Sequence, residues 1–197
     1  MRHCLRALGF VLAMIVALPA LAAEAGYVTR LVGEVRIERA SGTVPLGIGQ
    51  PVETGDRIMT GEDARVEIEL EGGTRLILGP ESRLVVPEQA ASTIGVVDLL
   101  LGIVRAVLPE EGGVGGFMVR GRTAVASVRS TEWIVETDES STAAFAIGGQ
   151  VQVIGTGGSV ILAPGQGTDV AAGSAPTEPK EWGTERRSDV VLRTEFP

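Results

Sequence analysis

The sequence predicts an all-β protein, and three observations carry that expectation. Val66, Ile68 and Leu70 alternate with Arg65, Glu67, Glu69 and Glu71, the period-two signature of a strand with one face buried and one in water. Glycine is abundant at 27 residues. It stands between short apolar runs rather than in a triplet repeat, as many tight turns require and collagen does not. The densest apolar run, residues 94–107, is interrupted by Gly95 and Gly102 and is rich in β-branched residues, so strands are favoured there over a helix. With 197 residues and only 4% aromatics, one core of Val, Ile, Leu and Ala is expected.

Residues 1–22 read as a signal peptide. Arg2 and Arg6 precede an apolar run, residues 8–18, that is too short to span a bilayer comfortably, and Ala20-Leu21-Ala22 fits small-x-small cleavage before Ala23. The alternative is an uncleaved membrane anchor. Cys4 lies ahead of the run and does not suit lipid attachment at the cleavage site. Without Arg2 and Arg6, the 17 basic residues become 15 against 25 acidic ones, a net charge near −10. Such a protein is poorly suited to nucleic acid or an anionic membrane surface.

Residues 23–173 form the expected β domain. Val35 and Ile37 alternate with Glu34, Arg36 and Glu38. Pro45 places the next strand, residues 44–46, at a sheet edge. Turns are expected at Gly55-Asp56, Thr60-Gly61 and Gly72-Gly73, the last closing a hairpin between 66–70 and 76–78. A brief strand, 84–86, is followed by a polar stretch, 88–93. A pair of strands is expected around Gly102. The loop 109–116 comes next, then strands at 117–119, 123–130, 133–136, 142–147, 151–153 and 160–162. Small residues at 124–126 suit close approach of two backbone layers. Gly33-Glu34-Val35-Arg36-Ile37 resembles Gly149-Gln150-Val151-Gln152-Val153, and Gly49-Gln50 precedes Gly165-Gln166 by the same 116 residues. Gly102 to Val107 is a looser third copy. Repeated units of this kind suggest stacked coils or paired sheets. Residues 174–197 form a polar C-terminal tail, either a short helix within 178–193 weakened by Gly183 or an extended segment that docks Trp182.

The residue inventory bears on chemistry. After residue 22 the chain has neither His nor Cys, so Ser-His-Asp triads, Cys nucleophiles, ordinary zinc sites and disulfides are excluded from that part. Gly112-Gly113-Val114-Gly115-Gly116 lacks the Lys-Ser/Thr of a phosphate loop. Glu67, Glu69 and Glu71 form a carboxylate row that would hold calcium only if a second strand supplied oxygens, and a solvated face is the plainer reading. No pair of carboxylates is singled out for glycoside hydrolysis. No catalytic, cofactor or metal residues are assigned, and no cofactor is expected.

Two stretches resemble the FecR domain, the periplasmic domain of ferric-citrate-type regulators. In Gly55–Ser82 the family's GD turn, TG turn, strand, glycine turn, second strand and Ser ending correspond to Gly55-Asp56, Thr60-Gly61, Val66 to Leu70, Gly72-Gly73, Leu76 to Leu78 and Pro80-Glu81-Ser82. Residues 123–133, TAVASVRSTEW, are similar to a second family signature, with Ser130 where glycine is usual. The resemblance spans roughly residues 26–173. It implies an antiparallel-rich β-sandwich turned toward a solenoid-like winding, and the periplasmic half of a signalling system. Only a few residues precede the apolar run, so the sigma-factor-binding segment of full-length regulators is not expected here. The functional expectation is a stand-alone, exported, non-enzymatic protein-binding or scaffold domain of the cell envelope, periplasmic or secreted. Its partner would be another envelope protein or receptor, contacted through strand edges, turn loops or Trp182. The alternatives are a glycan-binding envelope protein and, third, a carboxylate-based hydrolase.

Overall fold

The computed structural model describes residues 23–39, 41–87, 95–109, 115–129 and 132–197. In chain order the strands are β1 (Glu24–Val32), β2 (Val35–Arg39), β3 (Gly42–Pro45), β4 (Pro51–Glu53), β5 (Arg57–Thr60) and β6 (Arg65–Leu70). Next come β7 (Arg75–Leu78), β8 (Arg83–Val85), β9 (Gly95–Val107), β10 (Phe117–Arg120), β11 (Ala124–Val128) and β12 (Glu132–Thr137). The last are β13 (Ser141–Ala146), β14 (Val151–Gly155), β15 (Gly158–Leu162), β16 (Gln166–Ala171) and β17 (Lys180–Glu181), before helix α1 (Thr184–Leu192). The fold is all-β with one short C-terminal helix.

The strands form two layers. Sheet A runs β4-β1-β6-β7-β9-β12-β13-β16-β17. Sheet B runs β3-β2-β5-β8-β9-β10-β11-β14-β15. Every pairing is antiparallel except β9 with β10. The inward residues of both sheets form one core, including Val28, Ile37, Ile58, Ile68, Leu78, Leu84, Val104, Phe117, Trp133 and Val153. This is a sandwich, with the two layers joined through β9.

The expected strand pair around Gly102 is instead one continuous strand of 13 residues. Its first part lies in sheet B and its second part in sheet A. Gly102 has φ +87° and lies against Ser82, whose Cα would stand 2.6 Å from an added Cβ. A left-handed glycine lets the strand change sheets without a turn.

The repeat is real for one supersecondary unit. The hairpins β2–β3 and β14–β15 have the same register after a shift of 116, with Ile37↔Val44 matching Val153↔Val160. Gln50 Oε1 accepts the Gly47 N–H at 2.8 Å, and Gln166 Oε1 accepts the Ala163 N–H at 2.9 Å. Gly49 and Gly165 both adopt positive φ in these turns. The suggested third copy, residues 102–107, belongs to β9 and forms no such hairpin.

The tail combines its two expected conformations. Lys180–Glu181 extends sheet A along β16, and Thr184–Leu192 is helical. Trp182 and Val190 settle on the outer face of sheet A over Ile103, Ile134, Ala143 and Phe145, a second apolar cluster.

Candidate functional site

The turn residues that stand out in the sequence hold the fold together. Asp56 is buried and accepts the Glu53 N–H at 2.7 Å and both Arg39 guanidinium N–H groups at 2.8 and 2.9 Å. The Arg39 pKa is raised by that hydrogen bond. Thr60 Oγ1 donates to the Gly79 carbonyl at 2.7 Å and accepts the Ser82 N–H at 2.8 Å. Ser82 Oγ accepts the Ile103 N–H at 2.9 Å and donates to the Pro80 carbonyl at 3.0 Å. Thr60 and Ser82 thus satisfy the backbone where β9 leaves sheet B.

The carboxylate row is not a uniform wet face. Val66 and Ile68 are buried as expected and Leu70, at the strand's end, is half-buried, but Glu67 is also buried, with 7% exposure. The register of β1 against β6 shifts between Val28 and Arg30. Thr29, at that shift, donates its hydroxyl to Glu67 Oε1 at 2.8 Å. Ile77 flanks Glu67 on the other side. The C-terminal tail also reaches this face, where the Phe196 ring lies against Arg30, the β1 partner of Glu67. Glu69 is half-buried opposite Tyr27, and a hydrogen bond to it raises the Tyr27 pKa. Among the described residues, no group of three or more His, Cys, Asp or Glu side chains converges to hold a metal ion. Most of the Gly-rich stretch 112–116, together with Ser130, lies outside the described residues.

Trp182 is not a projecting anchor. It is 5% exposed and stacks on Phe145 with ring centroids 5.1 Å apart. Arg186 lies 3.6 Å above its ring and pairs with Asp169 at 2.9 Å. A Cβ on Gly167 would come within 2.7 Å of Trp182 Cζ2, so only glycine fits beneath the indole. The tail therefore packs on its own sheet. The physical reason is the uncovered Ile134, Ala143 and Phe145 patch, which would otherwise stay in water.

Sheet B has no such cover among the described residues. Its outer face carries Met118, Val125, Ser127, Gln152, Ile154 and Ile161, with Ile154 44% and Ile161 59% exposed. A shallow groove of about 630 Å³ runs over β10, β11, β14 and β15 and is bordered by Met118, Ser127, Arg129, Gln152 and Ile161. Among the described residues of its lining, Arg129 is the charged one. The alternation of Gln150, Val151, Gln152 and Val153 was legible in the sequence, with both valines buried and both glutamines exposed. The exposure of Ile154 and Ile161 was not, because an apolar residue in a strand reads as core.

The sheets end in four kinds of edge. β4 has three residues and begins with Pro51, β17 has two residues, both charged, and β3 contains Pro45. β15 has five residues, GSVIL, with neither charge nor proline. Among the described residues it pairs with β14 alone. Short length, proline and charge are the usual means by which edges avoid unwanted pairing, and β15 has none of them.

Residues 56–152 match the FecR protein family. No curated protein matches the chain. Two solved structures of a proposed anti-sigma factor from Parabacteroides distasonis, at 1.65 and 2.50 Å, share the fold with a TM-score of 0.57 and 20% sequence identity. The similarity covers 68% of this chain and 64% and 63% of those chains, less than two thirds of either. At that identity the likeness is one of fold. Through residues 56–152, with Asp56, Thr60 and Ser82 at its structural joints, this chain carries a domain of the FecR family.

Proposed function

We propose that the chain is a non-enzymatic, partner-binding domain of a cell-envelope signalling system, exported by residues 1–22 and acting outside the cytoplasm. The family match and the anti-sigma-factor neighbours support a regulatory role. The carrying observation is the contrast between the two outer faces. The tail covers the apolar patch of sheet A, whereas Ile154 and Ile161 stand in water on sheet B beside a groove. Two neighbouring exposed isoleucines beside a groove, on an otherwise acidic protein, support a contact surface on this face. Among the described residues no helix is long and apolar enough to cross a membrane.

The partner on this reading is another envelope protein. Affinity capture from the envelope with the wild-type protein, Ile154→Asp and Ile161→Asp tests it. The expected result is a protein retained by wild type and lost with both variants at unchanged melting temperature. Retention by both variants would remove sheet B from the contact. Mass spectrometry of the exported protein should show a new N-terminus at Ala23, and an intact Met1 in the membrane fraction would contradict export by cleavage.

A further inference from the structure

We infer that β15 accepts an extended segment of another protein as an added antiparallel strand, and that this segment continues with a carboxylate into the groove at Arg129. The inference rests on the proposed contact surface and names how that surface is used. Its starting point is the internal repeat. β3 and β15 are equivalent strands at opposite edges of sheet B, and the position of Pro45 in β3 is that of Ile161 in β15, 116 residues later.

The ladder shows what that exchange does. Gly155 and Gly158 pair across a two-residue turn, as do Arg39 and Gly42. A two-residue turn closes on a hydrogen-bonded pair, and hydrogen-bonded and non-hydrogen-bonded pairs then alternate. The non-hydrogen-bonded members of β15 are Ser159 and Ile161, so their N–H and C=O groups point away from β14. By the same alternation the Pro45 nitrogen points away from β2, where a missing donor costs nothing. One edge is closed by proline at the very position where the other offers an outward N–H. No backbone hydrogen bond from the rest of the described chain reaches β15.

Size and charge select the occupant. A five-residue edge is small against the roughly 1,200–2,000 Å² buried by stable complexes. A second copy joined edge to edge would extend sheet B in its own plane and leave both grooves empty. A separate segment can pair with β15 and also fill the groove, the usual combination of main-chain bonds with side-chain pockets in strand addition. The groove presents Arg129 with Ser127, Gln150 and Gln152, and no acidic residue among the described residues lines it. A carboxylate on the incoming segment is its complement.

The experiment uses a displayed library of random ten-residue peptides selected against the full protein. Enriched peptides are expected to alternate apolar and polar residues and to carry Asp or Glu near one end. Ile161→Pro should retain the fold, as Pro45 does at the equivalent site, which a circular-dichroism melt verifies. Ile161→Val keeps the N–H. Enriched peptides should bind Ile161→Pro at least tenfold more weakly than wild type and Ile161→Val about as well. Arg129→Glu should remove the preference for an acidic end. No enrichment, or equal binding to Ile161→Pro, would overturn strand addition, as would a dimer in sedimentation that Ile161→Pro splits. If the envelope partner stays bound to Ile161→Pro while Ile161→Asp loses it, the contact surface stands and strand addition falls.

Discussion

Replacing Ser82 with alanine tests whether the crossing of β9 depends on one hydroxyl. Ser82 is fully buried, and its Oγ accepts the N–H of Ile103, itself fully buried. Alanine removes that acceptor at a site with no solvent exposure. A buried donor left unpaired costs about 1–3 kcal/mol. For a chain of this length each kcal/mol shifts the melting temperature by about 2–4 °C, so a fall of roughly 2–12 °C is expected. Gly102→Ala should cost more. It adds about 1–3 kcal/mol of backbone strain at φ +87°, and the new methyl overlaps Ser82. The two sites are in contact, so the double variant should be less damaged than the sum, with a coupling of about 0.5–3 kcal/mol. Urea denaturation with a constant slope is the assay. A Ser82→Ala loss below about 0.5 kcal/mol, the range of a neutral surface change, or strict additivity with Gly102→Ala, would refute the role given to this hydroxyl.

Other perturbations follow from the same contacts. Ile68→Ala should cost about 2–5 kcal/mol as a large-to-small change in the core. Glu67→Ala should exceed the ±0.5 kcal/mol of a free surface site, because Glu67 is buried and holds Thr29; equal stability of wild type and variant in denaturant would contradict that burial. Gly167→Ala should expel Trp182, seen as a red shift of its fluorescence, and deletion of residues 174–197 should lower the melting temperature while leaving envelope capture intact. Asp138 accepts N–H groups of Ser140 and Ser141 at 2.7 and 2.8 Å and both their hydroxyls, which lower its pKa to about 2. A depressed carboxylate pKa stabilises the fold above the ordinary value and loses that contribution as pH falls through about 2. Asp138→Asn should therefore flatten the acid limb of stability between pH 4 and 2 (the window set by about 3.8 and about 2). An NMR midpoint near 3.8 for the Asp138 carboxyl would contradict it.

Period-two alternation and glycine spacing were enough to read the all-β class from the chain. Val66 and Ile68, Val151 and Val153, the Gly72-Gly73 hairpin and the Pro45 edge all stand where local pattern placed them. These features are encoded over a few residues, and the backbone expresses them locally. The repeat was legible for the same reason, because Gln50 and Gln166 each cap their own turn.

What escaped local pattern depended on residues far apart in sequence. Whether Gly102 ends a strand or bends one is decided by Ser82 lying against it. Glu67 is buried among Thr29 of β1, Ile77 of β7 and the strands beside them, neighbours that no local pattern reveals. Trp182 reads alike as anchor or as core until Gly167 and Phe145 are seen beneath it. Ile161 reads as core until the sheet is assembled and shows that β15 is its last strand. Which apolar residue faces a neighbour and which faces water is a property of the stacked sheets, since burial depends on what the rest of the chain brings to the other side.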